Sequence, residues 1–250
     1  MKCLHIVVTI ALLLWALAWW LSSAVLFCVT ALVLLAMIGL GVAFPQMRLF
    51  GDFICEGANS PRRVAITFDD GPDINSTPAL LELLREARVE AAFFGIGKRV
   101  AAHPELALQI VREGHLLENH SYAHSNLTNT FSVAKLREDF SKASSEIQKA
   151  TGIAPRCFRP PMGLSNPRIF RIASALGLKV IGWTARGLDT KLTDPEKIVA
   201  RIERRLKPGA IILLHDGNIP AERLITTVTL LLEKLRSHEY EIVRLDRILT

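Results

Sequence analysis

Arg63-Val64-Ala65-Ile66-Thr67-Phe68-Asp69-Asp70-Gly71-Pro72 decides how the rest of the chain is read. The apolar run Val64-Ala65-Ile66 predicts a buried strand, and Asp, Gly and Pro are turn formers, so the two carboxylates fall where that strand ends. Downstream, His120 and His124 lie in His120-Ser121-Tyr122-Ala123-His124. Their spacing suits one helical face or one compact loop. One carboxylate with two imidazoles is a frequent ligand set for a catalytic zinc, which keeps a further position open for water or substrate. The second carboxylate is then free to act as a base on that water. These residues read as a metal-dependent hydrolase.

Outward from this stretch, short apolar runs alternate with amphipathic ones. Strands are predicted at Arg63–Phe68, Ala91–Ile96, His115–Asn119, Cys157–Arg159, Lys179–Trp183, Ala210–Leu214 and Glu241–Val243. Helices are predicted at Thr77–Ala87, Pro104–Arg112, Val133–Thr151, Pro167–Ala175, Pro195–Arg205 and Ala221–Ser237. Proline opens several of these helices, where its missing N–H costs nothing. Gly114, Gly152 and Gly177 fall where helices should stop. The alternation predicts an α/β fold with parallel strands and helices outside. Asp69, Asp70, His120, Arg159, Asp189 and His215 all fall at or just beyond the C-terminal ends of predicted strands. That end carries the active site of a βα barrel.

Five segments come in a fixed order: Thr67-Phe68-Asp69-Asp70-Gly71-Pro72, His120-Ser121-Tyr122-Ala123-His124, Arg159-Pro160-Pro161-Met162-Gly163, Trp183 with Asp189, and Leu213-Leu214-His215-Asp216. Together they resemble the polysaccharide deacetylase family, also called carbohydrate esterase family 4 or the NodB-homology domain, over roughly residues 60–250. The resemblance implies a distorted, seven-stranded (β/α) barrel. It implies one divalent metal ion, zinc or cobalt, on Asp70, His120 and His124. Asp69 would be the general base, held in orientation by Arg159. His215 would be the general acid, with Asp189 fixing its tautomer. The backbone N–H of Met162 would help hold the oxyanion, and Leu213 and Trp183 would line a pocket for the acyl methyl. The substrate would be an acetylated amino sugar. Met162 departs from the family pattern, which usually has an aromatic residue there, so the departure bears on the sugar groove. Plainer readings stand beside these roles. Trp183 also reads as core packing and Asp189 as a helix cap in Leu188-Asp189-Thr190, while Asp216 reads as a turn residue or as a support behind the catalytic groups.

The first 44 residues are of another kind, with Lys2 their one charged side chain. Leu4–Leu21 and Ala24–Phe44 are apolar stretches separated by Ser22-Ser23. A single span needs about 20 apolar residues, so the expectation is a transmembrane helical hairpin over 1–44. A linker over 45–62 and a deacetylase domain over 63–250 would follow. Lys2, Arg48, Arg62 and Arg63 flank the hairpin, which by the positive-inside rule puts the catalytic domain in the cytoplasm. The rival is one long signal-anchor with the domain exported. Cys3, Cys28, Cys55 and Cys157 include no CxxC pair and read as free thiols. The net charge is +6, but the basic residues are dispersed and no aromatic-interleaved basic stripe suggests nucleic acid. The densest cluster is Arg201, Arg204, Arg205 and Lys207. It reads as a solvated helix face, or more sharply as a contact for anionic lipid head groups or a phosphate-bearing substrate.

Three function classes follow. The first is a membrane-bound, metal-dependent N-deacylase acting on an acetylated amino sugar of a glycan or lipid-linked saccharide. The second is a related amidohydrolase or deformylase acting on a non-polymeric amide. The third is a non-catalytic, membrane-anchored binding module, which should have lost at least one reactive residue; none is lost.

Overall fold

The computed structural model describes residues 2–57 and 62–249. Helices α1 (Lys2–Trp20) and α2 (Ala24–Ala43) fold back on one another about Ser22-Ser23. Ser23 caps α2 by accepting a hydrogen bond from the Leu26 N–H, and the rings of Trp15 and Phe27 meet at 5.3 Å. Ala24–Val42 is long and apolar enough to cross a membrane; Leu4–Trp20 is apolar but shorter. Many apolar side chains of the hairpin point outward, Val25, Leu32 and Leu35 among them.

The remaining elements alternate as the sequence predicts. They are β1 (Arg63–Asp69), α3 (Thr77–Ala87), β2 (Ala92–Gly95), α4 (Gly97–Ala102), α5 (Pro104–Arg112), β3 (Leu116–Asn119), α6 (Val133–Thr151), β4 (Cys157–Phe158) and α7 (Pro167–Ala175). Then come β5 (Lys179–Val180), β6 (Ala185–Arg186), α8 (Pro195–Glu203), β7 (Ile211–His215), α9 (Ala221–Ser237), β8 (Glu241–Ile242) and α10 (Leu245–Ile248). Helix ends follow local chemistry: Ser132 caps α6, Asn166 caps α7 ahead of Pro167, and Gly152 ends α6 with φ 77°.

Seven parallel strands curl in the order β5-β4-β3-β2-β1-β7-β6, a distorted half-barrel of seven strands. The composition of that seven differs from the sequence expectation in one respect. β6 holds one buried alanine beside an exposed arginine just past the predicted strand Lys179–Trp183, so it gave no apolar run of its own, and the predicted last strand, β8, lies off the curl, pairing with Arg63 and Val64 at the start of β1. Alternation along the strands sorts the two faces. Val64, Ile66 and Phe68 join Phe93, Ile212 and Leu214 in the core beneath the outer helices, while Ala65, Phe94, Ile181 and Ile211 fill the barrel interior.

Of the stretch 45–62, expected as a linker, residues 58–61 lie outside the described residues, and Leu49–Glu56 pack against the barrel. Leu49, Phe50, Phe53 and Cys55 are buried, packed with Phe158, Ile169, Phe170 and Val180. Burial of Phe50 and Phe53 contributes about 1.5–3 kcal/mol each. Ile54 bridges Ile181 beyond β5, and Glu56 bridges Ala210 at the start of β7. The segment thus links the β5 edge of the curl to the start of β7, next to its other edge. Leu4, Val7, Ile38 and Val42 of the hairpin pack on the same cluster. Cys28, Cys55 and Cys157 are free thiols.

Candidate active site

β1 and β7 run side by side with Asp69 opposite His215, so two reactive groups end adjacent strands at the same height. Asp69 completes β1, and Asp70 begins the turn with φ 75°, in the left-handed region. Strain of this kind gathers at functional sites. The turn is close-packed: a Cβ on Gly71 would meet Asp216 Oδ2 at 2.2 Å, and one on Gly217 would meet the Asp70 carbonyl at 2.5 Å.

The two neighbouring carboxylates differ in their nearest partners, although both approach His120, Asp69 Oδ2 lying 3.8 Å from its Nε2. Asp69 Oδ1 accepts from Arg159 Nη1 at 2.6 Å, and Arg159 is completely buried. The same guanidinium donates to Thr67 Oγ1 at 2.8 Å and to the Gly182 carbonyl at 2.9 Å, and stacks 4.1 Å above the Phe94 ring. Asp70 Oδ1 instead lies 3.5 Å from His120 Nε2 and 3.2 Å from His124 Nε2.

Asp70, His120 and His124 place their ligating atoms within 4.8 Å of one another. The two histidines sit in a compact loop, not on a helix. The residues fit a cation on three grounds. Asp70 Oδ1 is buried without a hydrogen-bond donor. His120 Nδ1–H donates to the Arg159 carbonyl at 2.8 Å, which leaves Nε2 as the free lone pair. Burial disfavours a charged His120, yet the Asp69 and Asp70 carboxylates outweigh it and raise its pKa. The site therefore demands positive charge. Asp70 tells the same story: burial pushes its carboxyl up, but the facing His120 imidazole, with His124 and His215, holds it well below the usual range.

His215 and Asp189 form a second unit. His215 Nδ1–H donates to Asp189 Oδ1 at 2.9 Å, and the His215 backbone N–H donates to Oδ2 at 2.7 Å. Both carboxylate oxygens are used, so the ring is fixed with Nε2 free. The helix-cap reading of Asp189 falls away, because Asp194 caps α8. Burial disfavours the imidazolium, but Asp189, Asp69 and Asp70 outweigh it and raise the pKa to about 9. A group required in its protonated form acts below its pKa and is lost as pH rises through it. In Asp189→Asn the raising partner is gone, so the alkaline limb of kcat/KM should move to lower pH. An unmoved limb in that variant would remove His215 as the titrating acid.

Met162 has φ 60° between Pro161 and Gly163, and its side chain is 62% exposed. Trp183 packs beneath it: a Cβ on Gly163 would strike the indole at 2.1 Å. Trp183 is thus both buried and at the rim. Leu213 is buried on β7, in register with Thr67 and two residues ahead of His215.

Three further residues support the site, and two of them, Thr67 and Asp139, lay outside the sequence reading. Thr67 accepts from Arg159 while donating to the Ile212 carbonyl. Asp139 on α6 accepts the backbone N–H groups of Tyr122 and Ala123, both at 3.1 Å, and so holds the histidine loop. Asp216 is fully buried and accepts from Thr77 Oγ1 at 2.7 Å; burial, only partly offset by that bond, pushes its pKa to about 7. Thr67 and Asp216 stood inside motifs. Asp139 had no local signal, because only the fold brings α6 to the loop.

The polysaccharide deacetylase family profile matches residues 56–181. A peptidoglycan-N-acetylglucosamine deacetylase of Bacillus cereus (strain ATCC 14579) is 35% identical over 196 residues, covering 78% of this chain and 91% of that protein. A chitooligosaccharide deacetylase of Bradyrhizobium sp. (strain ANU 289) is 35% identical over 206 residues, covering 82% and 91%. Among solved structures, a CE4 family pseudoenzyme from Bacillus anthracis superposes with a TM-score of 0.74 at 28% identity, over 80% of this chain and 69% of that one. With the curled parallel sheet and its rim of Asp, His and Arg side chains, these likenesses establish that the chain belongs to the polysaccharide deacetylase family, hydrolases of carbon–nitrogen bonds other than peptide bonds.

Proposed function

We propose that the chain is a metal-dependent N-deacylase that removes the acetyl group of an amino sugar carried on a membrane-attached glycan. One observation carries the chemistry: of two adjacent carboxylates, one is clamped by a buried arginine and the other faces two imidazoles. A divalent cation on Asp70, His120 and His124 would supply Lewis-acid polarisation of the acyl carbonyl and acidify the attacking water. Asp69, held by Arg159, takes the proton from that water as it adds to the carbonyl carbon. The Met162 N–H helps balance the charge on the carbonyl oxygen. His215, held by Asp189, gives its Nε2 proton to the sugar nitrogen as the C–N bond breaks, so acetate and the free amine leave. Leu213 and Trp183 offer the apolar surface for the methyl group.

The membrane part of the reading rests on the hairpin. Its outward apolar side chains suit lipid better than water. Its base meets the rim, where Gln46 donates to the Trp183 carbonyl at 3.4 Å. An anchor there confines the active site near the bilayer and raises the effective concentration of a lipid-linked saccharide.

The test uses the full chain in nanodiscs with two substrates, N-acetylated chitotetraose and a polyprenyl diphospho-N-acetylglucosamine. Chelation should abolish acetate release from both, and zinc or cobalt should restore it. Activity that survived exhaustive chelation would sink the metal assignment. A C-terminal reporter reads the side of the membrane: a cytoplasmic signal fits lipid- or nucleotide-linked precursors, and an exported one fits mature cell-wall glycan.

A further inference from the structure

A cavity of about 490 Å³ opens between the base of the hairpin and the barrel, lined by Phe44, Gln46, Trp183, Arg186, Arg201, Arg204 and Arg205 among others. Its volume is within the range of small-molecule sites. Four guanidinium groups line it from two elements: Arg186 ends β6, and the others belong to the end of α8 and the turn after it. Among the described residues none of the four has a carboxylate within ion-pair distance; Arg204 donates only to the Ala200 carbonyl. A neighbouring cavity shares Arg204 and Arg205 and adds Arg48 and Lys207, the latter paired with Glu56.

A helix C-terminus attracts cations, which accounts for Arg201 and Arg204. It does not account for Arg186, which comes from the sheet, nor for Arg48, which follows the hairpin. Unpaired like charges gathered on one cavity repel, and a multivalent anion reverses the sign of that interaction. Guanidinium forks match phosphate oxygens in a bidentate manner.

The position of the cavity narrows the anion. On one side it borders Phe44, the residue that ends the apolar helix α2. On the other it borders Trp183, whose indole lies under Gly163 and beside the Arg186 guanidinium, 5.6 Å from the ring. Arg186 is in register with Leu213, two residues short of His215. The cavity thus lies between the expected bilayer surface and the sugar site, one indole away from the latter.

We infer that this arginine-lined cavity binds the phosphate or diphosphate that joins a substrate saccharide to its polyisoprenoid lipid, with the lipid tail running along the hairpin and the sugar passing Trp183 into the active site. The inference rests on the lipid-linked reading of the substrate. An anionic phospholipid head group carries the same phosphate chemistry, so the test separates the two sources.

Full-length protein in phosphatidylcholine nanodiscs is titrated with farnesyl diphosphate, and the Arg186→Gln/Arg205→Gln variant is treated alike. The affinity of the variant should fall by about tenfold or more, the worth of one charge-assisted hydrogen bond. Its kcat/KM for the polyprenyl diphospho-sugar, divided by that for chitotetraose, should fall by a similar factor, through KM. If the affinity falls but the unaltered protein never hydrolyses the lipid-linked sugar, the phosphate site stands and the lipid-linked substrate fails. If the unaltered protein hydrolyses that sugar and the variant matches it in both affinity and ratio, the cavity is no phosphate site. If phosphatidylglycerol-rich nanodiscs abolish farnesyl diphosphate binding, bulk head groups occupy the cavity and the substrate assignment is overturned.

Discussion

An Asp69→Asn enzyme is expected to keep its metal and lose about 10²–10⁴-fold in kcat on N-acetylated chitooligosaccharides, the usual worth of a general base. Asn is nearly isosteric and still accepts from Arg159, so the pocket should persist while the proton acceptor is lost. Asp70→Asn should behave differently, because Asp70 is the carboxylate aimed at His120 and His124. That variant should bind less than one metal per chain, with activity rescued in part by excess zinc. Metal content by elemental analysis, read beside kcat, separates the two. Equal metal loss in both variants would mean that the carboxylates have been assigned the wrong way round.

The second large effect concerns stability. Arg159 is fully buried and bonded to Asp69, Thr67 and the carbonyls of Ile181 and Gly182. In Arg159→Met the Asp69 charge would stay buried without its partner, which typically costs about 3–5 kcal/mol and, for a domain of this size, lowers Tm by about 6–20 °C. Activity should be lost as well. Arg159→Lys retains the charge but not the fork, and should recover part of the stability and little of the rate. The informative variant is Asp69→Leu/Arg159→Met. Removing both charges leaves none stranded, so this double variant should be more stable than Arg159→Met while remaining inactive. A double variant melting at or below the single one would show that the lost stability came from the carbonyls and Thr67, not from Asp69.

His124 was legible from its spacing to His120, and Asp69, Asp70, His120, Arg159 and His215 because each sits at or next to a strand end. There, an apolar run followed by polar residues marks both the strand and the rim. The roles of Asp69 and Asp70 rested on resemblance, and only the distances separate their surroundings. What stayed hidden depended on tertiary contact. β6 is one buried alanine beside an exposed arginine, directly after the run predicted as Lys179–Trp183, so nothing marked it as a separate strand. α4 is six residues long and opens at Gly97, where a Cβ would collide with Ala143 of α6. Phe50 and Phe53 are separated by Gly51-Asp52, which reads as loop, although Gly51 is there because Phe170 lies 2.4 Å from where its Cβ would be. Asp139 looks like any acid on an exposed helix face until the fold sets it under the histidine loop.

The segment around Ile54 has a consequence for how the chain is made. It leaves the ribosome directly after the hairpin, but its partner Ile181 is synthesised roughly 130 residues later, several seconds at ordinary translation rates. During that interval Leu49, Phe50 and Phe53 have no barrel to enter. Contacts of such long sequence separation form late, so the barrel acquires its last strand-like piece from its own beginning. If α2 spans a membrane, as we propose, those apolar side chains can wait in the bilayer interface, which accepts Phe and Leu on one face of a segment. The hairpin would then act as a holdase in cis, sheltering the closing segment until the edges that it joins exist.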